Sequence, residues 1–387
     1  MHREPTKAPL RSADRQGEPR ATIADVENAP LRIGIIGTGM MGLEHIRNLA
    51  PNPNAVVTAI SDPNEASLNS ALDTLGPEQQ IATYHNHQDL LAAAACDAVI
   101  IASPNMTHAD ILLDVIEAGV DCLVEKPLCT TIEDCQRVLR AAEESPALLW
   151  VGLEYRYMPP IARALAITES GEIGTTRMVA MREHRFPFLT KVDNWNRFNE
   201  NTGGTLVEKC CHFFDLLGLI AGAEPVRVMA SGAQDVNHLA ESYDGRIPDI
   251  LDNALVIIDY DNGVRSSLDL CMFAEGSVNQ EELSIVGDLG KVEAFLPSGE
   301  VRHGLRTGWH GGVVTEVASD DRVAHEGFHH GASYLEHLDF LDAVRNRTAP
   351  LVSLADGLRS VAVGIAAQRS LSEHRVIEMS EILGSLP

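Results

Sequence analysis

Three clusters of residues in this chain have the types and spacing that chemistry needs. The first is Gly37-Thr38-Gly39-Met40-Met41-Gly42, a G-x-G-x-x-G run between the apolar segment Leu31–Ile36 and the helical pattern Leu43–Leu49. Gly37 permits a tight turn, Gly39 lets backbone N–H groups approach a pyrophosphate, and Gly42 lets the helix pack close to the strand. The helix N-terminus adds positive potential. Asp62 follows Gly42 by twenty residues, at the end of the next apolar run. An acidic side chain there accepts hydrogen bonds from the adenosine ribose hydroxyls and repels a 2′-phosphate. Asn64-Glu65-Ala66-Ser67 offers no compensating cation, so the pattern favours NAD over NADP. A glycine turn with an N-capping aspartate and no ligand is the plain alternative.

The second cluster lies where ligands bind in an open parallel sheet, beyond the carboxyl ends of the strands. Ser103-Pro104-Asn105-Met106-Thr107-His108 follows the run Ala98–Ala102, and Glu125-Lys126-Pro127 follows Cys122–Val124. This places Ser103, Asn105, His108, Glu125 and Lys126 beside the cofactor. The chain has five lysines against twenty-five arginines, so a lysine at this edge stands out. It can hydrogen-bond a substrate hydroxyl and stabilise charge developing on that oxygen as hydride leaves the carbon. A surface ion pair with Glu125 is the alternative.

The third cluster is Glu208, His212 and Asp215, spaced i, i+4 and i+7 along the nearly all-apolar segment Leu206–Ile220 that follows Gly203-Gly204. On one continuous helix they share a face. Burying them unpaired costs several kcal/mol, so they either satisfy one another or line a cavity. In a cavity, His212 takes a hydroxyl proton, while Glu208 orients the imidazole or holds a neighbouring hydroxyl. No metal is expected, because neither H-E-x-x-H nor C-x-x-C spacing occurs. Cys210-Cys211 reads as a pair of small apolar fillers. His325-Glu326-Gly327-Phe328-His329-His330 reads as a loop that touches substrate or solvent at least as readily as it binds a metal.

The elements that must hold these groups follow from periodicity. Leu31–Ile36, Val56–Ser61, Ala98–Ala102, Asp121–Glu125 and Leu148–Leu153 are short apolar runs alternating with helical patterns, the signature of a doubly wound parallel sheet. After Tyr157-Met158-Pro159-Pro160 the pattern changes. A helix at Ile161–Ser170 is followed by strands joined through tight turns, with hairpin signals at Asp259–Gly263 and Gly287–Gly290. Helical patterns return at Gly331–Val344 and Leu354–Ser370. The expected fold is α/β, an N-terminal Rossmann sheet over residues 31–154 and a C-terminal α+β domain over 155–387 with a large, mainly antiparallel open sheet. That open face calls for a partner subunit, giving a homodimer or homotetramer. Residues 1–30 read as a disordered extension, too acidic for an organelle transit peptide.

Composition excludes several classes. With 30 Lys plus Arg against 55 Asp plus Glu, the formal net charge is −25. No cationic run is present, which argues against nucleic-acid or anionic-membrane partners. No apolar stretch approaches the roughly 20 residues a spanning helix needs. Seven cysteines without C-x-x-C spacing suggest reduced thiols in a cytoplasm. The Tyr-x-x-x-Lys dyad, zinc-dehydrogenase cysteine cluster, G-x-S-x-G elbow and P-loop are all missing.

Taken in order, the Gly37–Gly42 loop, Ser103-Pro104-Asn105 with His108, Glu125-Lys126-Pro127, and the Gly203-Gly204 to His212 to Asp215 segment resemble the Gfo/Idh/MocA oxidoreductases. These include inositol dehydrogenases and glucose–fructose oxidoreductase. The resemblance spans about Leu31 to Ser370. It implies NAD(P) and reversible oxidation of a secondary hydroxyl on a sugar or cyclitol, with Lys126 and His212 as the catalytic pair. Family members usually carry Asp where this chain has Glu208. By the same resemblance, Arg156 and Trp195 reach toward substrate from the second domain. The leading expectation is an NAD-dependent dehydrogenase of an inositol or aldopyranoside. An NAD-retaining, redox-cycling glycosidase and a non-catalytic nucleotide-binding subunit are the alternatives.

Overall fold

The computed structural model describes residues 29–307 and 312–384. The expected extension over residues 1–30 therefore falls outside them, except for Ala29 and Pro30. Six strands form the first sheet: β1 (Leu31–Ile36), β2 (Ala55–Ser61), β3 (Ala82–Tyr84), β4 (Ala98–Ile101), β5 (Asp121–Glu125) and β6 (Leu149–Gly152). They pair in parallel in the order β3-β2-β1-β4-β5-β6. Every residue of β4, β5 and β6 is buried, as expected of parallel strands covered on both faces by their crossover helices. Those helices start where their caps dictate. Asn64 accepts a hydrogen bond from the Ser67 amide, and Thr131 accepts one from the Asp134 amide. Each such cap stabilises its helix by about 1 kcal/mol. The short edge strand β3 has no apolar run to announce it.

The chain order reverses between β1 and β4, which opens a crevice at their carboxyl ends. Ile36 of β1 lies in register with Ser61 of β2 and Ile101 of β4. The turns that follow these three residues, which carry Gly37, Asp62 and Ser103, are therefore neighbours by construction.

A second sheet has nine strands: β7 (Thr176–His184), β8 (Pro225–Ala233), β9 (Asn253–Tyr260), β10 (Arg265–Cys271), β11 (Glu281–Gly287), β12 (Gly290–Leu296), β13 (Glu300–Leu305), β14 (Val313–Val317) and β15 (Ile377–Glu378). Their order is β14-β13-β12-β11-β7-β10-β9-β8-β15, antiparallel except where β7 meets β10. Both hairpins form where the turn residues placed them. Burial alternates along β9, β11 and β12, as it must when only one face is covered. The covered face packs against helices Pro159–Glu169, Cys211–Ala221 and Leu354–Glu373. On the other face Met178, Met229, Leu255 and Ile257 are exposed, with Met229 directly opposite Ile257.

One helix packs against both sheets. Leu354–Glu373, which begins in a Ser353/Asp356 capping box, packs against β8 and also against β6 and helix Ile132–Ala142. Ala332–Asn346 packs against Met40–Leu49, the helix that follows the glycine loop. No helix among the described residues is long and apolar enough to cross a membrane.

One local expectation is corrected. Leu206–Ile220 is not one helix: Thr205–Glu208 and Cys211–Ala221 are separate, with Lys209 and Cys210 between them. The i, i+4, i+7 spacing therefore does not put Glu208, His212 and Asp215 on a common face.

Candidate active site

A cleft of about 860 Å³ runs along the carboxyl ends of the parallel strands and is walled on its far side by the segment Thr190–Trp195 from the second sheet's loops. Its floor begins at the glycine loop. Gly37 has φ +90°, and a Cβ there would lie 2.6 Å from the Ser103 nitrogen. A Cβ on Gly42 would lie 2.1 Å from the Gly37 carbonyl oxygen, so only hydrogen allows this approach. Above Gly39 the space is open, with no atom within 4 Å of where a Cβ would stand. The backbone is thus exposed at the one glycine where a pyrophosphate must come close, and crowded at the two that shape the loop.

Asp62 secures this end. Its Oδ2 accepts hydrogen bonds from the Thr38 amide (2.7 Å) and hydroxyl (3.2 Å), and its Oδ1 accepts from the Asn64 amide (2.8 Å). Asp62 lines the cleft, whereas Thr38 and Gly42 do not; they shape the loop from behind. Met40, Met41, Ser103 and Asn105 line the same stretch. A dinucleotide fits this donor set.

His108 is a correction. It is fully buried, its ring nitrogens facing the Pro127 carbonyl (2.8 Å) and the Ser103 carbonyl (3.1 Å), and it does not line the cleft. It joins two strand-end turns instead of touching a ligand. Burial lowers its pKa, with the two carbonyl hydrogen bonds acting the other way.

At the other end of the cleft, Lys126 extends from the end of β5, and its ammonium donates to the Glu208 carbonyl at 3.1 Å. Burial acts to lower the Lys126 pKa. Cys211, Glu125, Glu208 and Glu154 outweigh it, so the pKa stands above the ordinary lysine value and the side chain is a permanent cation. The preceding Glu125 points its carboxylate back into the protein, accepting from the Lys126 amide at 3.1 Å. Its other oxygen meets His45 Nε2 at 3.0 Å, and His45 Nδ1 meets His337 Nε2 at 2.9 Å. This buried chain runs from the lysine-bearing turn through helix Met40–Leu49 to helix Ala332–Asn346 and fixes that turn against both helices.

Glu208 lines the cleft and is buried, yet its Oε2 has no hydrogen-bond partner. Burial raises its pKa despite the opposing charges of Lys126, Lys191, Arg197 and Lys209. His212 is 2% exposed, its Nδ1 is likewise without a partner, and its ring stacks on Tyr155 at 4.0 Å. Burial, then Lys126, Lys209 and His329, push its pKa well below the ordinary value, so the imidazole is neutral. His212 does not itself line the cleft. Stacking sets its ring plane. The Tyr155 hydroxyl accepts from Lys209 at 2.8 Å, and Lys209 pairs with Glu183 at 2.9 Å.

Asp215 and Arg156 face elsewhere. Arg156 binds Asp215 through two nitrogens, at 2.7 and 2.5 Å, and donates to the Leu351 carbonyl at 3.0 Å. The pair borders a separate cavity of about 420 Å³. The expectation that Arg156 reaches substrate is corrected accordingly: a bidentate carboxylate partner engages its guanidinium away from the cleft. Trp195, by contrast, lines the cleft. His329 pairs with Glu154 at 2.8 Å, and no group of three potential metal ligands exists among the described residues.

Sequence reasoning missed Lys191, Tyr155, His45 and Glu154. The strand-end rule extended to β6 points to Glu154 and Tyr155. Lysine scarcity marks Lys191 and Lys209 as it marks Lys126, since these are three of the five lysines in the chain. His45 carries no local signal.

Two family profiles match the chain: an "Oxidoreductase family, NAD-binding Rossmann fold" over residues 31–153 and an "Oxidoreductase family, C-terminal alpha/beta domain" over residues 167–379. Among curated proteins, a myo-inositol 2-dehydrogenase from Thermotoga maritima is 27% identical over 359 residues, covering 92% of this chain and 100% of the relative. An NAD-dependent scyllo-inositol 2-dehydrogenase from Bacillus subtilis is 26% identical, covering 90% and 96%. A solved structure of a putative myo-inositol dehydrogenase from Sinorhizobium meliloti superposes with a TM-score of 0.73 at 26% identity, covering 90% and 99%. A levoglucosan dehydrogenase in complex with NADH has a TM-score of 0.79 at 21% identity, covering 90% and 99%, and shares the fold.

Proposed function

Since the chain belongs to the Gfo/Idh/MocA family of NAD-binding oxidoreductases and is a dehydrogenase of CH–OH groups, we propose that its substrate is a cyclitol or sugar oxidised reversibly at a secondary hydroxyl. One observation carries the reading. Lys126, a partly buried cation, and Glu208, whose Oε2 has no partner, line the cleft together, and the buried, neutral imidazole of His212, whose Nδ1 is also unpartnered, lies near enough for the Lys126 charge to lower its pKa. Unsatisfied buried polar atoms cost about 1–3 kcal/mol each, and a polyhydroxylated ring supplies the partners they lack.

Gly39 and Asp62 would hold NAD, which would supply the hydride acceptor. Lys126 donates a hydrogen bond to the reacting oxygen and stabilises negative charge on it. His212, neutral at physiological pH, accepts the hydroxyl proton. Glu208, whose pKa burial raises, holds a neighbouring hydroxyl or passes a proton. Trp195 closes the apolar side. Residues 31–154 bind the cofactor and residues 155–387 shape the substrate site. A second copy covers the Met229/Ile257 face, and a reducing cytoplasm suits the seven free cysteines.

The test is NADH formation by the purified protein against a panel of inositols, aldoses and methyl glycosides, with NADP in parallel. A substrate-dependent rise with NAD supports the proposal. Aglycone release from aryl glycosides without net reduction replaces it with the redox-cycling glycosidase. NAD binding without either activity leaves a non-catalytic subunit.

A further inference from the structure

Lys191 has no role in the chemistry above, yet it is the other lysine lining the cleft. It sits on the second sheet's loops, and its ammonium reaches across to the glycine loop, 3.8 Å from the Met40 sulfur. Among the described residues it forms no ion pair, and that thioether is a poor partner for a cation. Burial lowers its pKa, with Glu208 acting the other way. The loop is also built to hold it there. Asp193 and Asn194 both take left-handed backbone angles, φ +53° and +54°, a conformation that costs a non-glycine residue on the order of 1 kcal/mol. Asn196 donates to the Leu189 carbonyl at 2.9 Å and Asn201 to the Trp195 carbonyl at 3.0 Å, bracing both ends of the segment.

A braced loop thus holds a cation without an ion-pair partner among the described residues against Met40, the residue after Gly39, in the same cleft, so that an anion bound over Gly39 would come within its reach. Gly39 is where the backbone lies open, and the anion of a dinucleotide at such a turn is its pyrophosphate. We infer that Lys191 is a cross-cleft clasp that closes the second domain onto the pyrophosphate of the bound cofactor. The inference rests on the NAD-binding reading and adds a cofactor ligand from outside the nucleotide-binding sheet. It also explains why a chain with net charge −25 keeps a cation here, where the acidic groups Asp62, Glu125, Asp193 and Glu208 otherwise dominate the cleft walls.

The probe is ADP-ribose, which has the adenosine and pyrophosphate but no nicotinamide, titrated calorimetrically against wild type, Lys191→Met and Lys191→Arg, with NADH fluorescence titration alongside. Loss of a charge-assisted hydrogen bond predicts that Lys191→Met weakens ADP-ribose and NADH alike by about tenfold or more, with a shallower dependence on salt. Lys191→Arg, which keeps the charge, remains within about threefold of wild type. Circular dichroism checks folding, and Lys191→Gln replaces Lys191→Met if that variant does not fold. Unchanged ADP-ribose affinity in a folded, uncharged variant overturns the clasp, as does a loss confined to the KM of the polyol substrate, which would make Lys191 a substrate ligand. Failure of wild type to bind NADH or ADP-ribose would instead refute the cofactor reading itself, so the two failures are distinct.

Discussion

At the Gly39 end of the cleft, the ligand-facing groups are mainly backbone and one carboxylate from the first turns of a single β-α-β unit, joined by Ser103 and Asn105 after β4 and by Lys191 from the second sheet's loops. At the Lys126 end they are side chains from the end of β5, from a broken helix and from a loop of the second sheet. The first end is rigid because its geometry is covalent: glycines that must be glycines, and a carboxylate locked by three local hydrogen bonds. The second is rigid because distant parts of the chain hold one another, through Glu125–His45–His337 and through Tyr155 stacked on His212. Binding belongs to the end that a short stretch of sequence can build. Chemistry belongs to the end where charges are buried unpaired, which only a complete fold can maintain.

If that division holds, substitutions at the two ends separate kcat from cofactor affinity. The largest effect is expected for Lys126→Met, which should lower kcat/KM by about 10³-fold or more while leaving the NADH dissociation constant within about threefold. Steady-state kinetics and fluorescence titration read the two quantities. A matching loss in both would show that the ends are not separable.

His212→Asn should lower kcat by about 10²–10⁴-fold. The wild-type pH profile sharpens the same point. A base acts in its neutral form, and burial moves the His212 pKa well below 6.5, so the acid limb of kcat/KM should fall at a pH below that value. An acid limb at or above it would mean that the imidazole is solvated and that a different group is the base.

Asp62→Ala acts at the other end. Removing an acceptor of ribose hydroxyl bonds should raise the dissociation constant for NAD by about tenfold and narrow the preference over NADP, with kcat at saturating cofactor little changed. Competition binding with both dinucleotides measures it.

The smallest effect on turnover is expected for Asp215→Ala. This change removes the nearer of two carboxylates at the Arg156 guanidinium, leaving Asp356 at 3.6 Å, and should lower stability by about 2 kcal/mol, seen as a fall in Tm. Because the pair lies outside the cleft, kcat/KM should stay within about threefold. A large loss of activity in folded protein would restore Arg156 to the substrate site.

Much of the first sheet was legible because parallel strands buried on both faces appear as continuous apolar runs, and every crossover leaves a helical pattern between them. β3 was not, since a three-residue edge strand with no buried residue needs no apolar run. The second sheet showed itself through turn residues and alternation, but the parallel pairing of β7 with β10 joins strands far apart in sequence, and no local pattern records it. Gly37, Gly39 and Asp62 were picked out by spacing and Lys126 by its strand-end position, and all four line the cleft. His108 was placed in the cleft by its position after a strand end and Arg156 by the family resemblance, and hydrogen-bond partners from elsewhere in the fold engage both away from the cleft.

The sequence alone determined the nucleotide turn, its dependence on glycine and its preference for NAD, because those properties depend on backbone sterics and charge within a few dozen residues. Tertiary structure decided that His212 is buried and neutral with a free nitrogen, where the helix after Gly204 breaks, and that Lys191 faces Met40 across the cleft. Each of these depends on desolvation and on contacts between segments distant in the chain, quantities that residue spacing does not encode.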